Sequence, residues 1–213
     1  MTDANLALGP ADLAPPARIR EAALRLYAEN GQRATTIRMV AEEAGMSPGA
    51  VMHHFKSKDD LSEAVQRAVI AKIRQVVSGV GLSDAPEVAA RARRRAFDRL
   101  ITENPSIAGY MRWTVLEGGP AGAALFAEGF ELVRAEMQTM VAASIARPLP
   151  DPEIGLVLYR AINLAHIVFG PLIEQTLGLS LTDPAVLERF ASASVDLLTH
   201  PVFTEPEPGS AAG

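Results

Sequence analysis

The chain has 213 residues, of which 48% are hydrophobic and 21% charged, a length that suits about one to two domains. This composition excludes wholesale disorder and any collagen-like or low-complexity chain, and the absence of cysteine excludes a disulfide framework, a thiol nucleophile and thiolate-held zinc. The formal net charge of −5 speaks against a nucleic-acid binder, but it is uneven: up to Lys58 seven Lys/Arg face six acids (+1), which leaves 13 against 19 (−6) beyond. A small DNA-contacting module on an acidic body fits this asymmetry, and on charge alone ordinary surface scatter fits it as well.

Residues 1–16, with Pro10, Pro15 and Pro16, lack the basic cluster and apolar stretch of a secretory signal and read as a flexible leader. From there Gly and Pro divide the chain into segments of helical length. No series of short alternating runs suggests a sheet, so the expected fold is all-α with about nine helices. The first helix is expected over 17–29, with Ile19, Ala22, Ala23, Leu26 and Tyr27 on one face and Asn30-Gly31 as its stop. Thr35 or Thr36 caps a short second helix that carries Met39 and Val40 and ends at Gly45. Ser47 caps a short third one with Pro48 at its first position. Ser57 and Asp60 form a capping-box arrangement that opens a long fourth helix with Leu61, Val65, Val69 and Ile73.

Beyond the Gly79–Gly81 break, helices are expected at about 84–103, 105–117, 120–147, 152–178 and 184–199, bounded by Pro105, Gly118-Gly119-Pro120, Pro148-Leu149-Pro150 and Asp183-Pro184. The apolar stretch 154–173 is nearly long enough to cross a bilayer, but Arg160, Asn163, His166 and Gly170-Pro171 interrupt it. A buried helix of a soluble protein is the better reading, and the cytoplasm the default location. The proline-rich segment 201–213 reads as a mobile tail.

The informative segment is TTIRMVAEEAGMSPGAVMHHFKSKDDL. A short amphipathic helix, a glycine-containing turn and a second short helix present a recognition helix to a major groove. From Ala17 to about Ala64 the order ALRLYAENG, TTIRMVAEEAGMS, PGAVMHHF, KSKDDL resembles the TetR (tetracycline-repressor-like) family. The resemblance implies a helix-turn-helix DNA-binding domain over 17–62 and a ligand-binding and dimerisation domain over 63–200.

Residue by residue, it implies that Thr36 bonds a phosphate, besides serving as a plain N-cap, and that Arg38 reaches backbone or a base edge. Ser47, Pro48 and Gly49 would open the recognition helix, and Lys56 and Lys58 would bind phosphate. The family usually places aromatics, often tyrosine, just before the HF pair; here Met52 and His53 stand there. Met52 cannot donate a hydroxyl bond and offers apolar contact, for instance to a thymine methyl, while His53 still bonds a phosphate or base edge. His54 completes the candidate set. The His53-His54 pair does not read as a metal site, because neighbours on a helix point in different directions. No metal or cofactor is expected.

In the C-terminal part, Phe126, Phe130, Val133, Met137 and Met140 mark one apolar face of the seventh helix. The sixth carries Ile107, Tyr110, Met111, Trp113 and Val115, and the eighth is apolar in nearly every direction. Flexible methionines and aromatics with a few polar groups suit an adaptable ligand pocket. Its candidates are Tyr110, Arg112, Trp113, Glu117, Phe130, Met137, Met140, Tyr159, Asn163, His166 and Phe169; a plain core accounts for any single one of them. By resemblance the last two helices form a four-helix interface between subunits, with Ile162, Leu187, Phe190, Ser194 and Leu198 as candidates. The run Arg91, Arg93, Arg94, Arg95 reads as a solvated or ion-paired face.

The expected function is a ligand-responsive transcriptional repressor: a homodimer on a near-palindromic double-stranded operator, released by a small apolar effector. A regulator of the same fold acting as an activator or without ligand is an alternative. A small helical enzyme is the rival from another class, but no metal spacing, Gly-rich phosphate loop or nucleophile motif supports it.

Overall fold

The structure, a computed structural model, describes residues 14–79, 86–144 and 146–199. The expected tail and all but the end of the expected leader lie outside the described residues, as does the side chain of Leu198. The described residues form nine helices: α1 (Pro15–Ala34), α2 (Ile37–Glu43), α3 (Pro48–His54), α4 (Lys58–Ser78), α5 (Pro86–Glu103), α6 (Pro105–Glu117), α7 (Gly119–Ala142), α8 (Pro152–Leu177) and α9 (Pro184–Thr199). No strand occurs among them, in keeping with the all-α expectation.

Local chemistry sets the short helices. Thr36 Oγ1 accepts from Met39 N, Ser47 Oγ from Ala50 N, and Ser57 Oγ from Asp60 N. Each thereby satisfies a backbone N–H that the first helical turn leaves unpaired. Asp60 returns the bond one residue earlier than a capping box requires, accepting from Lys56 N at 3.0 Å. The stop expected at Gly31 is instead a kink: the residue has φ 78° and ψ 162°, and the helix resumes to Ala34. A glycine tolerates that backbone, so chain reversal is not obligatory there. The seventh helix ends at Ala142, five residues before the expected boundary.

One core runs through the molecule. Ile19, Ala22, Ala23 and Tyr27 of α1 meet Val40, Val51, Leu61 and Val65 of α2, α3 and α4, and the same cluster continues into Tyr110, Met111, Leu125, Leu164 and Ile167. The helix α4 serves as the stalk, since Val69 and Ile73 are also buried in it. At the crossing of α1 and α6, a Cβ on Gly109 would stand 2.8 Å from Ala28, so two small residues let the backbones approach closely. Helix α8, with a mean hydropathy of 1.6 over its most apolar 18 residues, is long and apolar enough to cross a membrane by length and composition. It buries Leu156, Arg160, Leu164, His166 and Ile167 against the other helices. Ile154, Leu158, Phe169 and Leu172 stay exposed.

Candidate nucleic-acid interface and effector site

Helix α3 is held by Val51 and by Phe55 just after it, both buried. Their burial turns the rest of the helix outward: Pro48, Gly49, Met52, His53 and His54 are exposed, together with Ser47 before it. Met52 is 41% exposed, a large apolar side chain with no packing role to explain it. Thr36 and Arg38 of the α2 start are exposed too, as is Lys56. The imidazoles of His53 and His54 meet edge to face, with centroids 5.4 Å apart. Lys58 differs from expectation in one respect: its Nζ donates to the Arg33 carbonyl at 3.0 Å, which ties the start of α4 to the end of α1.

A clasp joins this module to the body. Trp113 packs on Gly31, where a Cβ would also overlap the Glu117 carboxylate, and the Glu117 Oε1 accepts from Arg33 N at 3.5 Å. The Trp113 Nε1 is buried without a hydrogen-bond partner among the described residues. Tyr110 is buried as well, its ring 6.5 Å from that of Tyr27. Three of the residues proposed for a pocket thus sit between α6 and α1. Arg112 is half-buried on the same helix.

The other pocket candidates divide between two places. On one face of α8, Asn163 accepts from Arg94 Nη1, and Arg94 Nε also donates to Asp98 at 2.9 Å. The His166 Nε2 lies 3.9 Å from Asp98, and neither ring nitrogen has a hydrogen-bond partner among the described residues. Burial, then the Arg94 charge, pushes the His166 imidazole down to about 4, so it is neutral near pH 7. Burial raises the Asp98 carboxyl against the opposing pull of Arg94. Tyr159, half-buried one turn before Asn163, has its phenol raised chiefly by burial. Of the arginine run, Arg93 pairs with Glu136 at 2.6 Å, which makes this an ion-paired face.

On the other side, α7 and α8 border an open groove of about 520 Å³, walled by Phe130, Met137, Val141, Leu149 and Leu156. Met140 is half-buried on α7. Phe169 is 53% exposed on the outer face of α8, apart from both places. The interface candidates lie on α8 and α9. Leu187 and Ser194 are buried within the chain, Phe190 lies 5.9 Å from the His166 ring, and Ile162 is half-buried. A stripe shows that a helix packs but not against which neighbour, and here the α9 stripe meets residues of its own chain, among them His166 of α8. A buried charge that the candidate set leaves out is Arg160, only 6% exposed; its signal in the sequence is a charge inside an apolar run.

With this geometry in view, residues 19–65 match the family described as bacterial regulatory proteins, tetR family. The HTH-type transcriptional repressor AcnR of Corynebacterium glutamicum is 42% identical over 64 residues, covering 30% of this chain and 34% of the repressor. The HTH-type transcriptional regulatory protein RaaS of Mycobacterium tuberculosis is 29% identical over 144 residues, covering 67% of this chain and 64% of that protein. The chain therefore spans about a third of the length of the AcnR repressor and about two thirds of RaaS. Among solved structures, AibR in complex with isovaleryl coenzyme A and operator DNA has a TM-score of 0.64 at 19% identity, covering 86% of this chain and 97% of that one. The family match thus falls on the very helices whose outward face is described above, and the fold is shared beyond them.

Proposed function

We propose that this protein is a DNA-binding transcriptional repressor, acting in the cytoplasm as a homodimer and released from its operator by a small molecule. The observation that carries the reading is the outward rim of α3. Val51 and Phe55 fix the helix from within, while Ser47 closes its start, so a seven-residue helix keeps a rigid face toward solvent. A recognition helix must hold such a face to read base edges while nearby groups hold phosphates. Met52 would supply apolar contact and His53 a bond to a base or phosphate; Thr36, Arg38, Lys56 and Lys58 would position the backbone.

Dimerisation is supported by the exposed apolar stripe of α8, Ile154, Leu158, Phe169 and Leu172, since a large apolar patch on a soluble chain marks an interaction surface. A closed two-fold pair would set two α3 helices in successive major-groove faces. Ligand response is supported by the groove between α7 and α8 and by the clasp at Gly31, Trp113 and Glu117, through which a shift of α6 reaches the DNA-binding module. A ligand acts as a switch only if it binds the two states unequally; tenfold release needs about 1.4 kcal/mol of difference.

The test combines sedimentation and DNA binding. Leu158→Asp places a charge in the stripe, and the expected result is a folded monomer that loses operator affinity. A folded Leu158→Asp dimer would remove the α8 stripe from the interface, and a wild-type monomer that still binds a palindromic site tightly would refute the assembly.

A further inference from the structure

We propose that Arg160 receives the carboxylate of the effector, a small monoanion whose apolar body lies in the groove between α7 and α8. The inference rests on the ligand-responsive reading above and names the chemical class of the ligand.

The arginines of the body set the contrast. Arg74 pairs with Glu128 at 2.5 Å, Arg93 with Glu136 at 2.6 Å and Arg94 with Asp98 at 2.9 Å. Arg160 is more deeply buried than any of these, at 6% exposed, yet it makes no salt bridge among the described residues and its Nε has no hydrogen-bond partner there. Burial is the cause that draws its guanidinium down to about 10, and at that value it remains charged near neutral pH. A buried charge without a counter-charge is strongly unfavourable unless something else compensates it.

Its surroundings are shaped around the charged group. A Cβ on Gly129 of α7 would overlap the guanidinium, so α7 accommodates it only because a glycine stands there. The Phe126 ring lies 6.0 Å from Arg160 Cζ, and Phe126 stacks on Phe130 with centroids 6.2 Å apart. Phe130 and Leu156 both wall the groove, and Leu156 is four residues, about one helical turn, before Arg160 on α8, about 6 Å along the axis. Arg160 does not itself wall the groove, but Phe130 and Leu156, which do, join the groove to the immediate surroundings of this deep cation. The groove's volume of about 520 Å³ falls in the range of small-molecule sites, in which a few polar groups orient a mainly apolar ligand.

The chemistry of the cation narrows the ligand. A planar guanidinium matches a carboxylate with two parallel N–H···O bonds, and a single buried cation balances a single negative charge. Arg134, over the Phe130 ring at 4.9 Å, is half-buried at the mouth of the groove, with exposed Gln138 and Glu153 beside it. It meets solvent and contributes less to an anion than the desolvated Arg160.

The test is calorimetric titration of the full chain with straight-chain carboxylates from butanoate to dodecanoate, and with octanamide as the uncharged partner of octanoate. At least one carboxylate is expected to bind, with octanamide at least tenfold weaker than octanoate. Arg160→Met should abolish that preference and Arg134→Gln should keep it. Because Arg160→Met removes an unpartnered buried charge, its Tm without ligand should equal or exceed that of the wild type. Absence of binding by the whole series, a preference that survives Arg160→Met, or a lowered Tm of that variant would each overturn the proposal. Operator binding is measured separately. A chain that binds carboxylates through Arg160 but no DNA upholds this site and refutes the regulatory reading, whereas one that binds DNA and no carboxylate refutes this site alone.

Discussion

In the N-terminal module the starts of α2, α3 and α4 are each closed by a hydroxyl, from Thr36, Ser47 and Ser57. In the C-terminal body, Arg94 Nη2, Arg160 Nε and both ring nitrogens of His166 are buried without partners among the described residues; in the module only Arg18 Nε is in that position. The exposed apolar groups divide the same way, with Met52 alone on the module and Ile154, Leu158, Phe169 and Leu172 along α8. A module that presents a fixed surface settles its polar groups internally. On the proposed function, a body that joins a second copy and responds to a small molecule would keep donors and apolar surface in reserve, at some cost in stability.

The hinge between the two regions offers the largest test. Gly31→Val must adopt φ 78° and ψ 162°, a region essentially confined to glycine, and its side chain would overlap Glu117. The expected loss is about 4 kcal/mol, read by chemical denaturation, against less than about 1 kcal/mol for Glu117→Ala. Equal small losses would show that the clasp bears no load.

The body should also be the acid-sensitive region. The His166 imidazole is at about 4 in the fold and at about 6.5 in an unfolded chain. Protonation therefore favours unfolding: stability is full above pH 6.5 and falls as the pH drops toward 4. The loss should reach roughly 2 kcal/mol by pH 4.5. Asp98, raised by burial, acts in the opposite sense and blunts the fall at its lower end. His166→Asn should flatten the curve between pH 6.5 and 4.5, and an unchanged slope would remove His166 as its cause.

The same division explains what the sequence could disclose. Caps are local: Thr36, Ser47 with Pro48, and Ser57 act within three residues of themselves, so the helix-turn-helix and its outward face were legible from spacing. Burial directions in the body depend on partners distant in sequence. Leu187, Phe190 and Ser194 formed a sound stripe, but only packing reveals that Leu187 and Ser194 are buried within their own chain. Trp113 and Glu117 carried the right types for a pocket, yet the positive φ of Gly31, 82 residues before Trp113, draws them to α1. Arg160 was visible as an interruption, and its meaning depends on its making no salt bridge among the described residues, which no spacing encodes.

Two smaller effects sharpen the account of the module. Thr36→Ala should cost about 1 kcal/mol through the lost cap, measured by thermal unfolding; no loss would mean that the hydroxyl serves DNA alone. Lys56→Gln should leave stability unchanged and lower the salt slope of DNA binding by about one unit for each phosphate released. Lys58→Gln should lower stability as well, because Lys58 Nζ also bonds the Arg33 carbonyl. Equal behaviour of the two variants would contradict that distinction.

The central claim is that the α3 rim of two copies reads DNA. It is tested most directly by selecting bound duplexes from a random library with the wild-type chain and with Gly49→Glu, which places a negative side chain on the exposed rim. Enrichment of a near-palindromic sequence with half-sites about one helical turn, or a multiple of it, apart is expected with the wild type, and none with the variant. No enrichment by the wild type, or the same sequence enriched by both chains, would contradict it.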